Sequence, residues 1–114
     1  MKPPVGAHTG TGIWLLQRAT AVVMALAVPV FVWRVASVMP LDYGVWTALF
    51  APLWMRLFTL LFTVALALHA WAGMRDIFMD YVHHTGIRLA LYLVVIVTLA
   101  ACVVWMAAAL WSGR

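Results

Sequence analysis

Apolar residues dominate three stretches of the chain, roughly Ile13–Val38, Leu57–Met74 and Leu89–Trp111, and the polar residues gather between them. A helix of about 20 residues, rising 1.5 Å at each, crosses the hydrocarbon of a bilayer. Each stretch therefore predicts a transmembrane helix. Arg18 and Arg34 bracket the apolar middle of the first span, close enough to its ends for their long stems to carry the charge to the headgroups. Pro29 removes a backbone donor within that span and predicts a kink. Trp14, Trp33, Trp54, Trp71 and Trp111 stand near the span ends, as interfacial aromatics do. Between Met39 and Trp54, the residues Tyr43, Trp46, Phe50 and Trp54 recur at helical spacing. This segment predicts a short helix lying in the interface with one aromatic face down. With no repeat and no low-complexity linker, residues 1–114 read as one all-α domain of three transmembrane helices.

Composition sharpens the class. The chain is 68% hydrophobic and 9% charged, against about half and a quarter in ordinary soluble domains. A soluble domain, a disordered tail and a disulfide scaffold are all excluded. The single cysteine, Cys102, sits in an apolar run and cannot form a bond or a cysteine cluster within one chain. Three acids, Asp42, Asp76 and Asp80, are too few for a self-contained hydrolase or a carboxylate metal site. The formal charge of +4 comes from basic residues scattered singly at span edges, which argues for lipid headgroups and against nucleic acid. The first eleven residues lack the pattern of a cleavable signal or of an arginine-rich transit sequence, so the expected location is a bacterial inner membrane. An N-terminus in the cytoplasm puts Lys2, Arg18, Arg75 and Arg88 inside and Arg34, Arg56 and Arg114 outside. That small excess predicts the N-terminus in and the C-terminus periplasmic.

His69 is the one histidine within a span, in the run Leu61–Met74. An ionisable ring at that depth is costly and marks a candidate site. Two readings are open on chemistry alone. His69 can hydrogen-bond a neighbouring helix, or it can serve as an axial ligand to haem iron, with Ala65, Ala72 and Gly73 leaving room for a flat ligand or a close helix. His8, His83 and His84 lie outside the spans, so a second histidine ligand must come from another chain. Arg18 lies about five residues inside span one and His69 about five before the end of span two. Antiparallel spans then place both roughly 7.5 Å below the same membrane face. An arginine at that level can pair with a haem propionate or simply snorkel. Thr20 is expected to bond back to its own helix carbonyl. The dense polar stretch Arg75–Arg88 brings Asp76, Asp80, Tyr81, His83 and His84 to this membrane face. It reads as either an ordinary solvated loop or a site where a phenol donates to a carbonyl and neighbours relay protons. Gly86 is expected to be the turn that launches span three.

These positions together resemble the smaller hydrophobic membrane anchor subunit of proteobacterial succinate dehydrogenase, respiratory complex II. The likeness rests on Gln17-Arg18-Ala19-Thr20 in span one, His69-Ala70-Trp71-Ala72-Gly73-Met74 closing span two, and Asp80-Tyr81-Val82 after it. It covers nearly the whole chain. The resemblance implies that His69 is an axial ligand to haem b, shared with a histidine of the companion cytochrome b subunit. It implies that Arg18 lies near the haem propionates, and that Tyr81, with Asp80 beside it, meets the ubiquinone carbonyl. The implied partners are that cytochrome b subunit, an iron–sulfur subunit and a flavoprotein that oxidises succinate, linking the tricarboxylic acid cycle to the respiratory chain. The chain itself would be a non-catalytic anchor and quinone-site subunit. Asp76, His83 and His84 map to no role in the family. The competing readings are a structural or assembly protein of the membrane, and one member of a small heteromeric transporter without haem.

Overall fold

The computed structural model describes residues 4–112, with side chains from residue 12 onward. Lys2 and Arg114, which entered the topology count, and the side chain of His8 lie outside the described residues. Among the described residues four helices follow one another: α1 (Pro4–Ser37), α2 (Tyr43–Leu49), α3 (Leu53–Tyr81) and α4 (Thr85–Trp111). Among the described residues there is no strand. α1, α3 and α4 are each long and apolar enough to cross a membrane. Pro29 lies inside α1 without ending it.

α3 is the central helix, packing against α1 on one side and α4 on the other. Its junction with α1 is antiparallel and can be read rung by rung. The amide of Gln17 lies 3.7 Å from where a Cβ of Gly73 would stand, and Thr20 meets His69. The ring of Phe31 packs on Phe58 and Phe62 at 5.1 and 5.3 Å between centroids. The guanidinium of Arg34 lies over Trp54 at 5.2 Å. Thr20, Ala27, Phe31 and Arg34 thus form one stripe at helical spacing on α1. The α3–α4 junction is aromatic instead, with Tyr92 against Trp71 and Phe78 and Arg56 over Trp111.

The buried set is small. Among the described residues it comprises Ala27, Leu49, Met55, Ala65, Ala72, Leu110, Thr20 and Thr59, and alanines and threonines are what allow helices to approach closely in lipid. Large apolar side chains such as Leu26, Leu93 and Val104 are exposed along the outside. In water this surface would drive aggregation, whereas hydrocarbon is its natural solvent.

Several element boundaries differ from those expected from hydropathy. The second span is longer than Leu57–Met74, because α3 continues through Arg75–Tyr81. Half of the dense polar stretch, Arg75–Tyr81, is therefore the end of α3, and Thr85–Arg88 opens α4. A hydropathy reading stops at the first charges, but backbone hydrogen bonding continues while no glycine or proline interrupts it. Only Val82–His84 link the two helices, and α4 starts at Thr85, four residues before Leu89. His84 is the N-cap of α4, its Nδ1 accepting from the amide of Ile87 at 3.2 Å. Gly86 is not the turn itself. It sits in the first turn of α4, where a Cβ would come within 3.1 Å of the capping His84 ring, so its role is to leave that ring space.

α2 also departs from expectation. It is capped by Asp42, whose carboxylate accepts from the Val45 amide at 2.7 Å, and it ends at Leu49, so Trp54 belongs to α3. Its aromatic residues differ in their surroundings. Trp46 and Phe50 pack edge-on and, with Thr59, Met106 and Leu110, line a cavity of about 200 Å³, while Tyr43 is exposed. Arg34 fastens this helix by donating from Nη2 to the Leu49 carbonyl at 2.8 Å. Its guanidinium is thus turned onto the chain and does not snorkel away from it. The Nε atoms of Arg34 and Arg56 are buried without a hydrogen-bond partner.

Candidate functional site

α1 and α3 come together around His69. Alanine and glycine at Ala65, Ala72 and Gly73 keep the α3 surface flat there, and Ala65 and Ala72 are buried. Across the junction stands Thr20, 5% exposed. Its hydroxyl oxygen lies 2.8 Å from the Leu16 carbonyl, 3.1 Å from the Gln17 carbonyl and 3.0 Å from Nδ1 of His69. The expected bond of Thr20 to its own helix is present. Sequence reasoning missed the contact to His69, for which the only available signal was a hydroxyl and an imidazole at matching depth on neighbouring antiparallel spans. Among the described residues Nε2 of His69 has no hydrogen-bond partner.

Arg18 precedes Thr20 by two residues, so it lies about 3 Å from it along the α1 axis but about 200° round the helix. It is level with His69 without sharing the Thr20 face. Its guanidinium is exposed and rests over Trp14 at 5.3 Å. The expected coincidence of helix end and span end near each residue does not survive, since α1 begins at Pro4 and α3 runs to Tyr81. Their common level does, because the contact between Thr20 and His69 pins it.

Tyr81 is the last residue of α3 and is 78% exposed. It lies at the same end of the bundle as Arg18, but about 18 Å beyond His69 along the helix and about 120° round it. Asp76 and Asp80, both exposed, fall within about 20° of His69 on the helical wheel, one below the other. Asp76 makes a loose ion pair with Arg75 at 3.8 Å. His83 lies in the three-residue link, exposed, and His84 is occupied by capping α4. The structure therefore divides the predicted residues into two places: His69 and Thr20 with Arg18 level beside them, and Asp80 with Tyr81 at the helix end. Among the described residues, no three His, Cys, Asp or Glu side chains gather into a metal-binding cluster.

A bundle of three apolar helices, with an imidazole held between two of them and its outer surface fit for lipid, defines a small helical membrane protein. The family of succinate dehydrogenase/fumarate reductase transmembrane subunits matches residues 3–105. A protein of Coxiella burnetii (strain RSA 493 / Nine Mile phase I), named succinate dehydrogenase hydrophobic membrane anchor subunit, is 41% identical over 102 residues, which cover 89% of this chain and 88% of that protein. The chain belongs to the succinate dehydrogenase/fumarate reductase transmembrane subunit family, and within it is a membrane anchor subunit.

Proposed function

We propose that this anchor completes a haem b site with a companion cytochrome b subunit and forms part of a ubiquinone-reduction site in a succinate:ubiquinone oxidoreductase. The observation that carries the reading is His69, an imidazole inside the bilayer with one ring nitrogen engaged by α1 and the other without a partner among the described residues. A ring at that depth needs a reason, and an available imidazole nitrogen is the usual donor to haem iron.

The residues present fit the group. His69 would offer Nε2 as one ligand, while Ala65, Ala72 and Gly73 let α1 close against the other side of its ring. Arg18, level with His69 and exposed, would hold a propionate through its planar fork. A second histidine ligand would have to come from the companion cytochrome b subunit, since among the described residues no other histidine lies at this level. When bound, the haem supplies a one-electron redox centre within the membrane.

Tyr81 would meet the quinone. Its exposed hydroxyl at the end of α3 can donate to a quinone carbonyl arriving from lipid. Reduction builds negative charge on the carbonyl oxygens before protons reach them, and a donor aimed there stabilises that charge. Asp80 adjoins it, in a position to take up or release a proton. The anchor thereby holds the flavoprotein and iron–sulfur subunits to a bacterial inner membrane, with its N-terminus on the cytoplasmic side. The flavoprotein oxidises succinate and the iron–sulfur subunit delivers the electrons.

One observation favours a second reading. The contact between Thr20 and His69 is also what a structural or assembly protein would use to fasten two helices. An optical spectrum of the purified complex separates the two. A reducible, low-spin b-type haem that co-purifies with this chain supports the proposal, and a complex with no haem leaves His69 as a helix fastener.

A further inference from the structure

We infer that Thr20 is a positioning residue that sets the tautomer of His69, keeping the proton on Nδ1 and turning Nε2 into the lone-pair donor. The inference rests on the haem reading above and adds a residue to it.

Counting protons decides the direction of the bond. A threonine hydroxyl has one proton to donate and lone pairs with which to accept. The Thr20 oxygen has three neighbours: the carbonyls of Leu16 and Gln17 at 2.8 and 3.1 Å, and Nδ1 of His69 at 3.0 Å. Carbonyl oxygens only accept. If the hydroxyl donated to Nδ1, both carbonyls would face a bare oxygen at hydrogen-bond distance, and the imidazole proton would sit on Nε2, closing that nitrogen to a metal. If the hydroxyl donates back to Leu16, its shortest contact, Nδ1–H donates to the threonine oxygen and only the Gln17 carbonyl, which keeps its main-chain donor, receives nothing from Thr20. Burial of Thr20 keeps water from offering another arrangement. Which nitrogen of a histidine binds a metal is set by the bond the other makes, and an acceptor on Nδ1–H fixes the ring and raises its basicity.

Two features of the fold support the assignment. Thr20 is held by its own helix, so its oxygen has a fixed direction, which a serine or threonine on a loop would lack. The neighbouring rung, Gln17 against Gly73, lets α1 and α3 approach closely enough for a short side chain to bridge them.

The test uses the assembled complex with Thr20→Val and Thr20→Ser. Valine keeps the shape and loses the acceptor, while both helix carbonyls retain their main-chain donors. Succinate oxidation with an artificial acceptor reports assembly. In Thr20→Val, haem retention should fall roughly tenfold or more, the usual result of losing such a partner. The haem midpoint potential should rise, because a less basic imidazole stabilises the ferric state less. A tenfold preferential loss for the ferric form corresponds to about 59 mV for a one-electron couple. Thr20→Ser should restore both values. If Thr20→Val fails to assemble, the same comparison is made with Thr20→Ala. A valine or alanine complex with the parental potential, electron-paramagnetic-resonance signature and haem content overturns the role of Thr20. If His69→Leu nonetheless loses the haem, the ligand reading stands without it. A haem spectrum unchanged by His69→Leu overturns both.

Discussion

The two faces of α3 solve the problem of helix association differently. Toward α1, the contact contains polar groups and small residues: Gln17 beside Gly73, Thr20 beside His69, and only then the Phe31 cluster. Toward α4, aromatic rings and an open apolar groove of about 490 Å³, lined by Val64, Leu68, Trp71, Ile96 and Val103 among others, make up most of the contact, with Arg56 over Trp111 at one end. In lipid, apolar side chains gain little by meeting each other instead of acyl chains. A polar pair, by contrast, has no comparable partner in the hydrocarbon. The α1 face is thus where register is specified, and the α4 face is where shape can vary. The residues on which function is proposed to depend within the membrane lie at the specified junction.

The most severe way to break this contrast is His69→Leu. Leucine suits the apolar surroundings but offers iron no lone pair, so the complex should lose its six-coordinate b-type haem while all three spans remain inserted. Optical spectra of the complex, with protease mapping of the spans, check both halves. Expression of this chain alone asks the same of the missing partner. Without the second ligand it should bind little or no haem, and a stable haem-loaded homodimer, with two copies of His69 facing each other, would refute the heteromeric reading.

A pair of substitutions compares the two faces directly. Gly73→Leu forces bulk against Gln17 and should destabilise the protein by about 1–3 kcal/mol, as overpacking does. Ala100→Leu, on the wall of the open groove, should stay within about 0.5 kcal/mol. Thermal denaturation of the two complexes in one detergent gives the ranking, and equal losses would erase the distinction between the junctions.

Tyr81→Phe tests the helix end, away from both junctions. Removing the hydroxyl costs about 0.5–1.5 kcal/mol for a neutral bond and more where charge develops. Ubiquinone reduction should fall at least roughly tenfold, the factor that 1.4 kcal/mol produces. Succinate oxidation by an artificial acceptor should stay near normal. Equal losses in both assays would mark a folding defect, and no loss in either would remove Tyr81 from the site.

The chain's own pattern determines that it is a membrane protein, that it has three spans, and that His69 is the odd residue within them. These follow from composition and from the length of a bilayer, which act on each segment independently. The family likeness is legible for the same reason, being a matter of short motifs in order. Only the folded chain decides that α3 continues past its charges to Tyr81, which separates Tyr81 from His69 by about three turns. It also decides that Arg34 closes onto Leu49, and that His84 caps α4. Nor could hydropathy show that Thr20 has a second partner. A hydroxyl that bonds its own helix looks satisfied in sequence, and its oxygen meets His69 only because two antiparallel helices, 49 positions apart at that rung, settle in one register. Local pattern is set by each residue's transfer between water and lipid, whereas the partner of a polar atom is set by the direction and spacing of helices that no single segment contains.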